Sequence, residues 1–183
     1  MTHHLLVAHG SDEARNAVHS IVARVGIESR TTVVFEYRLD GAVDRLAVPR
    51  RAEARRADRL WERTCFEAFV APAAGSHYCE LNFSPSTEWA AYAFDAYREG
   101  MRPLALPKPP SVAVVETEAE LRVTAAIDLA ALPEAPWPWR IGLTAVVEDR
   151  AGSRAYFALR HPRQNPDFHD VAGFTASLDE GAR

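Results

Sequence analysis

The sequence is poor in lysine, cysteine and methionine. Among 21 basic residues Lys108 is the only lysine. We read that arginine bias as genome composition, so an arginine cluster alone marks no binding site. Two cysteines, Cys65 and Cys79, are too few for a disulfide-stapled scaffold and read as free thiols in a reducing compartment. Long apolar runs are missing too. Near the amino terminus only Leu5 to Ala8 is apolar, too short for a signal-peptide core or a membrane span, so the chain is expected in the cytoplasm. With a formal net charge of -4 it carries neither the polycation that nucleic acid attracts nor a basic amphipathic helix for a membrane surface. Nucleic acid and membrane are therefore not expected as partners.

What is present is enough apolar material for one two-layer core: 183 residues, 48% of them hydrophobic. Helical periodicity is scarce, whereas period-two alternation recurs between Gly, Pro, Asp and Asn. The pattern predicts a single all-β domain, an antiparallel sandwich of immunoglobulin-like or jelly-roll-like kind with about nine or ten strands. Ends near 1–17 and 179–183 are expected to fray, with His3, His4 and His9 in a mobile terminus. Ile21 to Ile27 and Val33 to Leu39 alternate, and Asp40-Gly41 predicts a hairpin turn into Val43 and Leu46. Further strands are expected over 64–71, 77–83, 89–94, 112–117, 121–128, 140–148 and 155–160. Prolines make 101–111 and 130–139 loops.

The chemistry concentrates on two of these strands. In Cys65-Phe66-Glu67-Ala68-Phe69-Val70 the even positions are the apolar set, and in Tyr78-Cys79-Glu80-Leu81-Asn82-Phe83 the odd ones. Only a register pairing an odd with an even position brings both sets to one face. A turn centred on Ala73-Ala74 does so and sets Glu67 opposite Glu80, and Cys65 opposite Asn82, at roughly 4.5–5.5 Å between Cβ atoms. Two facing carboxylates repel, so a cation, an arginine, a ligand hydroxyl or a shared proton is expected between them. The alternative is a solvated outer face on which both chains bend into water.

The stretch Arg56-Ala57-Asp58-Arg59-Leu60-Trp61-Glu62-Arg63-Thr64-Cys65-Phe66-Glu67-Ala68-Phe69, with Tyr78-Cys79-Glu80-Leu81-Asn82-Phe83-Ser84-Pro85, resembles the bacterial DOMON-like domains. Val146-Val147-Glu148, Tyr156 to Pro162 and Pro166-Asp167-Phe168-His169 extend the likeness. Those domains are similar to family 9 carbohydrate-binding modules, and some are fused to UDP-N-acetylenolpyruvoylglucosamine reductase. The resemblance implies a β-sandwich whose relatives bind sugars or haem. It places sugar-holding roles on Glu67 and Asn82; where the modules often carry an Arg two residues before that Asn, this chain has Glu80. A sugar or sugar-derived ligand, with peptidoglycan fragments the favoured class, would then meet Glu67, Glu80 and Asn82. Arg59 would balance charge, and Trp61 or Trp89 would supply an aromatic platform. Trp89 also reads as core, and Trp137 and Trp139 as packing under a loop.

Other readings are weaker. His161, Asp167 and His169 form a loose metal-ligand set that matches no tight metal signature, so no metal is expected. Haem would need an axial pair from Met101, Lys108, His161 and His169, and no cofactor is expected. Opposed carboxylates evoke a retaining glycosidase, but no nucleophile triad or phosphate loop is present and no catalytic residue is assigned. A sandwich that has lost its ligand and serves protein interaction is the runner-up.

Overall fold

The computed structural model describes residues 2–10, 16–132 and 137–179. Its regular elements are strands: β1 (Thr2–Leu5), β2 (Val7–Ala8), β3 (Val18–Ser29), β4 (Thr32–Gly41), β5 (Cys65–Pro72), β6 (Tyr78–Phe83), β7 (Trp89–Phe94), β8 (Arg102–Pro103), β9 (Ser111–Glu116), β10 (Glu120–Asp128), β11 (Trp139–Glu148), β12 (Arg154–Ala158) and β13 (Ala176–Leu178). Short 3-10 turns join some of them, and no helix is long and apolar enough to cross a membrane.

Two antiparallel sheets form the predicted sandwich. One has the order β1-β3-β4-β10-β9; the other runs β2-β12-β11-β5-β6-β7-β8, with β13 pairing β11. Alternation explains the packing. Val33, Phe35, Tyr37 and Leu39 of β4 face Phe66, Ala68 and Val70 of β5 and their neighbours in one buried cluster. Tyr37 spans the layers, and its hydroxyl donates to the Glu67 carbonyl at 2.6 Å.

The strands that sequence reading misses are short: β1, β2, β8 and β13 have two to four residues, too few for a periodicity to declare itself. Where the sequence suggests a frayed start, His3 and His4 pair with β3 in register, and Val7–Ala8 with β12. Val43 does not begin a strand. Gly41 closes β4, and Val43–Arg45 forms a 3-10 turn tucked against the core through Val43 and Leu46. Trp139 begins β11 and is buried, stacked on Trp137 with ring centroids 3.9 Å apart. Residues 133–136 of the predicted proline loop lie outside those described.

The β5–β6 register differs from expectation in a way that matters for the site. Glu67 pairs Asn82 and Phe69 pairs Glu80, so the parity holds but the strands are offset by two residues. Gly75 is the reason: at φ +101° it takes the left-handed position of the turn at little cost and moves the turn centre one residue along the chain. Glu67 and Glu80 become diagonal neighbours on one face, with a Cβ spacing of roughly 7 Å rather than 5 Å.

Candidate functional site

All residues of β5 and β6 are buried, on the outer as well as the inner side. The outer face of the second sheet is covered by two straps, which is why its polar residues are not solvated: Glu67 is 2%, Glu80 4% and Asn82 0% exposed. One strap carries Leu60 and Trp61; the other runs through Phe168, His169 and Phe174. Gly142 seats the second strap. A Cβ there would stand 2.6 Å from Phe174 Cδ1, so Phe174 reaches the sheet only because residue 142 has no side chain. Phe174 then stacks on Phe69 at 5.4 Å.

Between the straps lies a cavity of ≈ 350 Å³, within the size range of small-ligand sites. Its apolar lining includes Trp61, Phe94, Met101, Tyr156 and Phe168, and its polar lining is Glu67, Glu80, Arg98, Arg154 and His169. Trp61 stands on a 3-10 turn, Leu60–Glu62, entered through Arg59 at φ 62°, and meets Tyr92 edge-on at 5.6 Å. Tyr92 is fixed in turn by its hydroxyl, which donates to Asp58 at 2.6 Å.

The hydrogen bonds of the two acids are unequal. Glu80 Oε1 accepts from Asn82 Nδ2 at 2.7 Å, and its Oε2 lies 3.7 Å from His169 Nε2. Glu67 Oε2 accepts from the Thr144 hydroxyl at 3.3 Å, while Glu67 Oε1 is buried with no hydrogen-bond partner among the described residues. Burial, then the charge of Glu80, pushes the Glu67 carboxyl well above the usual range, against the Thr144 bond. Burial raises Glu80 to about 7, opposed by the Asn82 bond and the nearby Arg98 charge.

His169 is neutral. Burial, with Arg98 next, lowers it to about 4. The backbone N–H of Arg98 donates to the Tyr78 hydroxyl at 3.1 Å, and that hydroxyl sits 2.8 Å from His169 Nδ1. Tyr78 donating to Nδ1 leaves the single imidazole hydrogen on Nε2, aimed at Glu80.

The structure brings Trp61, Glu67 and Glu80 to one cavity and sets Asn82 behind it as the donor that orients Glu80. It separates the others. Arg59 does not reach the acids; it points outward, its Nη2 2.6 Å from Glu62, because the left-handed turn at residue 59 directs it away. The cation that acts on Glu80 is Arg98, which the β7–β8 turn carries and which bonds Asp167 at 3.0 Å. Trp89 is core, beneath the guanidinium of Arg56 at 5.9 Å.

His161, Asp167 and His169 do not converge. His161 Nε2 donates to the Val7 carbonyl at 2.9 Å, and Asp167 accepts from Tyr97 at 2.5 Å as well as from Arg98. No group of three or more His, Cys, Asp or Glu among the described residues is placed to hold a metal ion. Of the haem-ligand candidates, Met101 and His169 line the cavity. Both His169 nitrogens, however, face Tyr78 and Glu80.

Sequence reasoning missed Arg98, Tyr156 and Phe168, which reach the cavity from a turn, an outer strand and a strap. Tyr156 and Phe168 lie in two of the segments that extend the family likeness, which is the signal that pointed there.

No protein-family model matches the chain, and a search of curated proteins finds no match. Solved structures do match. A protein of Bacteroides uniformis, provisionally described as carbohydrate-binding, superposes with a TM-score of 0.72 at 14% identity, over 98% of this chain and 86% of that one. A family 9 carbohydrate-binding module of Caldicellulosiruptor kristjanssonii in complex with glucose gives a TM-score of 0.51 at 12% identity, over 94% and 93% of the two chains. The same organism's family 9 module with cellotriose gives 0.51 at 12%, over 94% and 88%. At such identities the likeness is one of fold: this chain shares the β-sandwich of those structures.

Proposed function

We propose that this chain is a non-catalytic binding domain for a sugar or sugar-derived metabolite, held in the cavity over Glu67 and Glu80. The observation that carries the reading is the pairing of buried, incompletely bonded carboxyls with aromatic walls. A pyranose needs acceptors around its edge and a ring to cover its C–H face. Glu67 Oε1 is a buried oxygen with no hydrogen-bond partner among the described residues, and Trp61 stands at the cavity wall. The glucose and cellotriose complexes of family 9 modules of this fold support the ligand class. Placement on neighbouring strands of one sheet face argues against catalysis, because the acids stand side by side instead of flanking a bond to be cleaved. Peptidoglycan sugars are the class we favour, with Arg154 at the cavity available to a lactyl carboxylate.

Calorimetric titration with glucose, N-acetylglucosamine and muramic acid tests the reading. Saturable binding at micromolar to millimolar ligand, weakened at least tenfold by Trp61→Ala, is expected. Absence of heat for all of them at several millimolar would overturn it.

A further inference from the structure

Hydrogen-bond donors and acceptors are unbalanced in the acid cluster. Four carboxylate oxygens from Glu67 and Glu80 meet two hydrogen-bond donors, Thr144 and Asn82, and a third, His169 Nε2, that stands off at 3.7 Å. None of these donors carries a charge. Among the described residues the cationic side chains near the cluster make their bonds elsewhere or stand at the mouth: Arg98, whose charge acts on Glu80 from a distance, is bonded to Asp167, Arg59 to Glu62, and Arg154 is exposed. The other ionisable groups that interact with the acids are Tyr37, Cys65, Tyr78, Cys79 and Tyr92, whose burial favours their neutral forms. A sugar hydroxyl brings one hydrogen to this site. A primary ammonium brings three with a positive charge, enough to fill Glu67 Oε1 and tighten Glu80 Oε2 together.

We infer that the cavity selects a sugar bearing a free primary amine, seating the ammonium against Glu67 Oε1 and Glu80 Oε2. The inference rests on the sugar-binding reading and narrows it to unacetylated amino sugars, which among peptidoglycan fragments are the de-N-acetylated ones. The orphaned, buried Glu67 oxygen is the independent observation that points to a ligand donor. Binding carries a proton balance: burial keeps the acid pair partly protonated in the unliganded cavity, and the arriving ammonium displaces that protonation, so binding of the charged amine releases protons to solvent.

The test is calorimetry at pH 7.0 with D-glucosamine, D-glucose and N-acetyl-D-glucosamine, each in two buffers of different ionisation enthalpy. Glucosamine is expected to bind at least tenfold more tightly than the other two, with a buffer-dependent heat that reports proton release. Glu67→Gln should bring glucosamine down to the level of glucose. The wild-type buffer dependence stands by itself if that variant folds poorly. Glucose binding as tightly as glucosamine, or glucosamine binding with no proton release, would overturn the inference while leaving sugar binding intact. No binding of any of the three would remove both.

Discussion

Replacing Glu80 with Gln isolates the cost of holding two acids in one buried cluster. The Glu80 carboxyl titrates near 7 in the folded chain against 4.5 ordinarily, chiefly through burial. A folded-state value above the unfolded one means that the native state keeps a proton the unfolded chain has lost. The group's penalty is therefore absent below pH 4.5 and grows until pH passes 7. At 1.36 kcal/mol per pH unit the full loss is about 3 kcal/mol. With Glu80 only 4% exposed, solvent screening takes little off that figure. His169 acts in the opposite sense: lowered to about 4, it makes the protein gain stability as pH rises toward 6.5. The wild-type profile alone thus mixes two opposed trends. The difference between Glu80→Gln and wild type removes the histidine contribution as well as any pH-independent cost of the substitution. Urea unfolding at pH 4.5 and pH 8 should show that difference moving by about 3 kcal/mol in favour of the variant, a midpoint change of roughly 1 M or more. A difference that stays constant with pH, or moves against the variant, would refute the burial and coupling assigned to this pair.

Gly142→Ala should push Phe174 off the sheet, costing roughly 1–3 kcal/mol in urea unfolding, and should weaken sugar binding in parallel because the same strap carries Phe168 and His169. Arg59→Ala should leave sugar affinity unchanged in calorimetry, since Arg59 bonds Glu62 outside the cavity; Arg98→Ala should lower it several-fold by freeing Asp167 and the strap. Both thiols are buried, with burial raising Cys79 to about 12 and Cys65 well above its ordinary value, so neither should react with a disulfide reagent at pH 8 until the protein is unfolded.

Long strands were legible because their period-two pattern is read by a single core: Phe35, Tyr37 and Leu39 declare β4 without help from the rest of the chain. The parity of the Glu67 and Glu80 strands was legible for the same reason. Their register was not, because shifting a hairpin by two residues leaves every side chain on its own face, and only the backbone angle at Gly75 decides between the two. Outer-face burial was hidden as well. It depends on Phe174 finding the gap at Gly142, two residues far apart in sequence and each unremarkable by itself. Arg59 misled because nearness in sequence to Trp61 does not survive a left-handed turn, whereas Arg98 acts from another loop.

The central claim, that a sugar enters the cavity over Glu67 and Glu80, is tested most directly by amide and indole chemical-shift mapping on the full chain during titration with D-glucosamine. Saturable shifts are expected at the Trp61 indole and at the amides of Glu67, Arg98, Phe168 and His169, with the core Trp89 indole little changed. Shifts confined to the β1-β3-β4-β10-β9 sheet, or none at saturating ligand, would contradict it.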